Sequence, residues 1–165
     1  MSENATQAIW LTQEAYDKLR SELAHLSGAG RADVTAKIAA ARDEGDLREN
    51  GGYHAAREEQ GKQEARIRQL EDMLRKAEVG ETPPNDGIVE PGMVVTARID
   101  GGDEEKFLLG ARENLSEGDT LDVYSPQTAL GSAINGKSKG DTVSYTAPTG
   151  KEFSVEIVDA EPYKA

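Results

Sequence analysis

The chain has 165 residues, 36% hydrophobic, 30% charged and only 5% aromatic, and 31 acids against 19 Lys and Arg give a formal net charge of -12. That length suits one ordinary domain or two small ones. So acidic a balance excludes a broad electrostatic footprint on duplex nucleic acid or an anionic membrane, and zero cysteines exclude disulfides, thiolate zinc sites and a cysteine nucleophile.

Two histidines leave little room for a histidine-based metal site. No apolar run approaches the roughly 20 residues that span a bilayer. The opening MSENATQAIW lacks the basic segment and apolar core of a signal peptide, so a soluble cytoplasmic protein is expected. Charge and composition both change near residue 80. Residues 1–80 carry 15 acids and 12 bases and no proline; residues 81–165 carry 16 acids, 7 bases and all six prolines. The breaker-rich run Gly80-Glu81-Thr82-Pro83-Pro84-Asn85-Asp86-Gly87 reads as a linker. The expected division is a helical domain over 1–80, a linker over 81–87 and a mostly β domain over 88–165. The fold class is α+β.

Thr12 is placed to cap a helix with Glu14 in its first turn, and Tyr16, Leu19, Leu23 and Leu26 form a seam along it. The seam breaks at Ser27-Gly28-Ala29-Gly30 and resumes in a new phase at Val34, Ile38 and Ala41. Gly45 to Gly52 reads as a turn. Tyr53, Ala56, Gln60, Gln63, Ile67, Leu70, Leu74 and Ala77 then alternate at spacings of three and four, the pattern of helices packed at a shallow angle. Two arms around a short turn make an antiparallel coiled-coil hairpin. Its descending arm would be about 37 Å long at 1.5 Å per residue. So long a pair with a weakly apolar distal part is expected to project from the body.

Beyond the linker, strands are expected over 93–99, 106–111, 121–123, 142–146 and 153–158, with a short helix around 128–134. A small antiparallel sheet under that helix would bury Val94, Phe107, Val123, Val143 and Val155. The region has no His, no Trp and no phosphate loop, so it carries no catalytic equipment.

The candidate chemistry is at the turn. Asp46 and Glu49 stand three residues apart, so their carboxylates can converge. Solvation and helix capping account for two acids in such a turn. The alternative is half of a magnesium site, because that ion takes six oxygens and two carboxylates leave the rest to waters, phosphates or another protein.

The run GDLRENGGYHAAR, residues 45–57, closely resembles the tip signature of the bacterial Gre transcript-cleavage factors. Ser125-Pro126-Gln127-Thr128-Ala129-Leu130-Gly131, followed by Gly136-Lys137 and Gly140-Asp141, resembles that family's polymerase-binding C-terminal domain, which has an FKBP-like fold. There are two departures: Gly51-Gly52 replaces the usual Ala-Glu, and Ala129 replaces a proline. The resemblance implies a monomeric transcription factor whose hairpin enters the secondary channel of RNA polymerase and stimulates cleavage of the nascent RNA 3′ end after backtracking. Asp46 and Glu49 would share Mg²⁺ with the polymerase's acids in two-metal hydrolysis, with no ion expected on the isolated protein. Tyr53, Asn50, Arg42, Arg48 and Arg57 would contact RNA or orient the tip, Asn50 by capping or closing the turn. Ser125 and Pro126 would anchor the factor at the channel rim. Three rivals remain open: a secondary-channel inhibitor without cleavage activity, a peptidyl-prolyl isomerase, and a non-catalytic coiled-coil adaptor.

Overall fold

The computed structural model describes residues 8–164, arranged as seven strands and four α-helices with one π-helical and one 3₁₀ segment. Two compact units result, one from 16–77 and one from 8–15 with 78–164. Among the described residues, no helix is long and apolar enough to cross a membrane.

In the first unit one arm runs through α1 (Gln13–His25), a π-helical stretch (Leu26–Gly30) and α2 (Arg31–Arg42), and the other is α3 (Gly51–Lys76). Thr12 caps α1 as expected, its Oγ1 accepting the Ala15 N–H at 3.1 Å. The expected break at 27–30 is not a break. The helix winds on through one i→i+5 turn, which absorbs a residue without ending the rod. The seam therefore runs Leu19, Leu23, Leu26, Gly30, Val34, Ile38, Ala41, and the change of phase is the π turn itself. Gly30 is buried there, and a Cβ on it would stand 3.2 Å from the His25 carbonyl.

On α3 the buried residues are Ala56, Ile67, Leu70 and Met73, with Tyr53, Gln60, Gln63, Leu74 and Ala77 half-buried. Met73 and not Leu74 reaches the interior, because 3.6 residues per turn drifts off a strict heptad. The polar middle of the seam is held from outside by ion pairs between the arms. Arg31 meets Glu64 at 2.8 Å, Arg66 meets Glu22 at 2.8 Å and Lys37 meets Glu59 at 3.2 Å. Each pairing hydrogen-bonds its carboxylate, so Glu22 and Glu64 titrate below the ordinary glutamate range. Inside this collar the Gln63 Oε1 is enclosed with no hydrogen-bond partner among the described residues.

The second unit is a five-stranded sheet in the order β5-β4-β3-β7-β6: β3 (Met93–Ile99), β4 (Glu104–Leu109), β5 (Asp122–Tyr124), β6 (Thr142–Thr146) and β7 (Glu152–Pro162). It is antiparallel except at one edge, where β5 runs parallel to β4. One face packs under α4 (Ala129–Ile134), through Met93, Val95, Ala97, Phe107, Leu109, Val155, Ile157, Leu130 and Ile134. Of the five expected core residues, Phe107 and Val155 are buried, while Val94, Val123 and Val143 are half-buried. In the run Met-Val-Val-Thr-Ala, either alternation is apolar enough to face inward; pairing selects Met93, Val95 and Ala97, and Val94 turns to the other face. A bulge in β7 at Val158, opposite the Thr96/Ala97 step, lets one long strand pair along all of β3.

Residues 8–15 group with this unit. β1 (Ile9–Leu11) pairs with β2 (Ala77–Val79). Asn114, 8% exposed, accepts the Thr12 N–H at 3.0 Å and donates to the Trp10 carbonyl at 3.0 Å. Trp10 lies so close against Gly80 and Gly92 that a Cβ would come within 2.0 Å of its Nε1 at the first and 2.8 Å of its ring at the second. The lone tryptophan is thus a packing element of the β unit. Two hollows lie beside it, one of about 20 Å³ toward Asn114 and Tyr163 and one of about 360 Å³ lined by Glu81, Thr82, Pro83, Pro84, Glu90 and Pro91.

Candidate functional site

Residues 43–50 join the two arms. The first arm ends as Glu44 and Gly45 donate their N–H groups to the Ala41 and Arg42 carbonyls at 3.2 and 3.4 Å, and Gly45 turns the chain away at φ +128°. Asp46 then closes an Asx turn, its Oδ1 accepting the Arg48 N–H at 2.9 Å. Asn50, in extended backbone, caps α3 by accepting the Tyr53 N–H at 3.0 Å. Its Nδ2 donates to the Ala41 carbonyl on the opposite arm. Sequence assigned Asn50 a cap or a closure of the turn; the structure has it make both contacts.

Asp46 and Glu49 are both exposed, and neither enters an ion pair among the described residues. Their oxygens suit Mg²⁺ in kind, but two carboxylates on an open loop are an incomplete shell. Among the described residues no group of three or more His, Asp or Glu converges to hold a metal.

The other tip residues separate. The Arg42 guanidinium stacks 5.9 Å from the centre of the Tyr53 ring, and Tyr53 meets His54 edge-on at 5.6 Å. Arg57 donates to Gln60 at 3.1 Å along its own helix. Arg48 is exposed, beside the acids. Leu47, 39% exposed between the two acids, is an apolar tip residue the sequence reading did not single out; its place inside the acidic run was the available signal. Gly51 and Gly52 open α3 instead of closing the turn. A Cβ on Gly51 would meet open space and one on Gly52 would be 3.4 Å from Asn50 Oδ1, so glycine here lowers helix propensity without being sterically required.

Ser125 and Pro126 sit far along the chain, between β5 and α4, both half-buried. The Ser125 hydroxyl accepts the Gln127 N–H at 3.1 Å and also meets the Gln127 side chain. Its carbonyl accepts Thr128 Oγ1 at 2.7 Å, and Thr128 caps α4 by accepting the Gly131 N–H at 3.0 Å. A Cβ on Gly131 would stand 2.1 Å from that same carbonyl, so Gly131 lets the helix come up against the loop. Ala129 occupies the first helical position, where a proline's missing N–H costs nothing. That departure leaves the local structure intact.

Two family models cover the chain: the N-terminal domain of transcription elongation factors over residues 9–79 and the GreA/GreB C-terminal domain over 83–162. Transcription elongation factor GreA of Streptomyces avermitilis is 55% identical over 166 residues, covering 99% of each chain. The GreA of Mycobacterium tuberculosis is 53% identical over 161 residues, covering 96% of this chain and 97% of that one. The crystal structure of GreA factor homolog 1 from Thermus thermophilus aligns over 94% of this chain and 99% of that one at 25% identity, with a TM-score of 0.44 that adds nothing to the assignment. Both units, the tip signature and the full-length similarity agree: the chain belongs to the GreA/GreB family of transcription elongation factors.

Proposed function

We propose that this factor binds RNA polymerase, enters its secondary channel tip first, and stimulates the polymerase to cleave backtracked nascent RNA. The observation that carries this reading is the tip: two exposed carboxylates without an ion-pair partner, at the far end of two long helices, on a loop fastened to both arms. Asp46 and Glu49 would hold Mg²⁺ together with acids of the polymerase. An ion so held supplies an activated water and neutralises charge on the leaving oxygen. Arg48 is free to meet an RNA phosphate. Ser125 and Pro126, on a loop stiffened by proline and by the α4 cap, provide a docking edge that loses little entropy on binding.

Adding the protein and Mg²⁺ to a stalled, backtracked elongation complex tests this directly. Short 3′-terminal RNA fragments should appear, and naked RNA with the same protein should remain intact. Inhibition of elongation without fragments would convert the reading to the channel inhibitor. Fragments from naked RNA would make the chain a nuclease in its own right. Replacing Ser125 and Pro126 together should weaken competition for the polymerase while leaving the melting temperature in place.

A further inference from the structure

Asn50 uses both ends of its amide, one on each arm. Oδ1 accepts the Tyr53 N–H at 3.0 Å and so starts α3, while Nδ2 donates to the carbonyl of Ala41 in the last turn of α2. A side chain of this length carrying both an acceptor and a donor is asparagine alone. The loop it spans is otherwise weakly held. Residues 42–49 are all exposed, so no apolar packing fixes them. The helix that follows opens with Gly51-Gly52, the poorest non-proline start available. A second contact across the loop's ends, Arg42 over the Tyr53 ring, is a 5.9 Å stacking at the surface.

We propose that Asn50 is a positioning residue: its tie to Ala41 sets the separation and direction of Asp46 and Glu49, and Arg42 with Tyr53 braces the same closure. The inference rests on the cleavage reading for its functional consequence, but not for its structural one. It also divides the tip arginines, giving Arg42 to the brace and leaving Arg48 to reach a phosphate.

Asn50→Asp keeps a helix-capping acceptor and removes the donor to Ala41; Asn50→Ser caps as well, without added charge, and is too short to reach across. A purely structural role predicts that both behave as wild type. A positioning role predicts unchanged melting and unchanged competition for polymerase, with stimulated cleavage lowered on the order of ten- to a hundredfold, since a displacement near 1 Å can cost that much. The Mg²⁺ concentration for half-maximal cleavage should rise with it. In the isolated protein, ¹⁵N order parameters of the Leu47, Arg48 and Glu49 amides should fall below about 0.6, while those along α3 stay near the rigid value of about 0.85. Adding Gly51→Ala and Gly52→Ala to Asn50→Ala should restore helix stability and not cleavage. Wild-type tip order parameters in both Asn50→Asp and Asn50→Ser would overturn the proposal. So would a wild-type cleavage rate at wild-type Mg²⁺ demand. If the unaltered protein fails to stimulate cleavage, the functional reading falls and the order parameters still decide the role of Asn50.

Discussion

The β unit gathers its large apolar side chains into one cluster beneath α4, whereas the hairpin buries Val34, Ile38, Ala41, Ala56, Ile67, Leu70 and Met73 in single file along a seam. A cluster is redundant, because each member touches several others. A seam is not, and here it is interrupted by Gly30, Gln60 and Gln63 and reinforced from the surface by ion pairs. The difference follows from what each unit presents. On the proposed reading, a loop that offers free carboxylates to another molecule cannot bury them, and the hairpin that carries it has a thin core. On the same reading, the β unit would dock, and a packed sheet gives it a fixed surface.

That contrast can be broken by substitution, and the largest effect belongs to the cluster. Phe107, 1% exposed and edge-on to Tyr124 at 4.9 Å, sits at its centre. Phe107→Ala should lower the unfolding free energy of the β unit by about 3–5 kcal/mol, read by denaturant titration. A loss below about 1 kcal/mol would mean that the sheet is not one cooperative core.

The tip should answer in the opposite sense, with a large loss of activity and none of stability. Asp46→Asn retains an oxygen for the Arg48 N–H and removes the charge that attracts a cation. With Glu49→Gln it should reduce stimulated cleavage on the order of a hundredfold or more, by comparison with removal of one electrostatic stabiliser elsewhere. Melting temperature and competition for polymerase should not move, since exposed turn acids contribute little to folding. If both variants cleave at the original rate, the acids are ordinary surface residues and the adaptor reading replaces the donated half-site.

What the sequence disclosed divides along the same line. The bounds of β3 and β6 were legible because alternation and turn residues are local signals, and the proposal for Asp46 and Glu49 rests on their spacing and the motif around them. Contacts made at long range were not. Trp10 lies against Gly80 and Gly92, and its carbonyl is held by Asn114 across 104 positions. No local pattern announces that, and the strand at Ile9–Leu11 was not anticipated. The same holds for the parallel edge pairing of β5 and for the tie from Asn50 to Ala41. The π turn escaped for a different reason. One extra residue in a helix looks, in a periodicity count, the same as a break.

Glycines sharpen the comparison at smaller magnitude. Gly61 is exposed in the middle of α3 and a Cβ there would meet nothing within 4 Å. Gly61→Ala should therefore stabilise the hairpin by about 0.5–1 kcal/mol through helix propensity alone. Gly80→Ala, whose Cβ would collide with Trp10, should destabilise the β unit by about 1–3 kcal/mol. The same substitution thus changes sign between the units, and equal effects in a thermal melt would erase the distinction.

The smallest expected effect is that of acid on the collar of ion pairs. Arg66 hydrogen-bonds Glu22 and Arg31 hydrogen-bonds Glu64, and each contact holds its carboxyl below the usual glutamate value. A carboxyl depressed on folding contributes stability that is complete above its unfolded pKa and is lost as pH falls through the folded one. The contribution should be intact at neutrality and fade as the pH falls below the ordinary glutamate range and through the depressed folded values. The side chains of both pairs are a third to a half exposed, so the change will be small and screened by salt. A double variant, Glu22→Gln with Glu64→Gln, isolates it: the variant should melt below wild type at neutral pH and low salt, and the gap should close in acid and in high salt. A gap that does not narrow as the pH is lowered would assign the loss to packing of the side chains and not to their charge. The seam would then hold the arms together without electrostatic help from its rim.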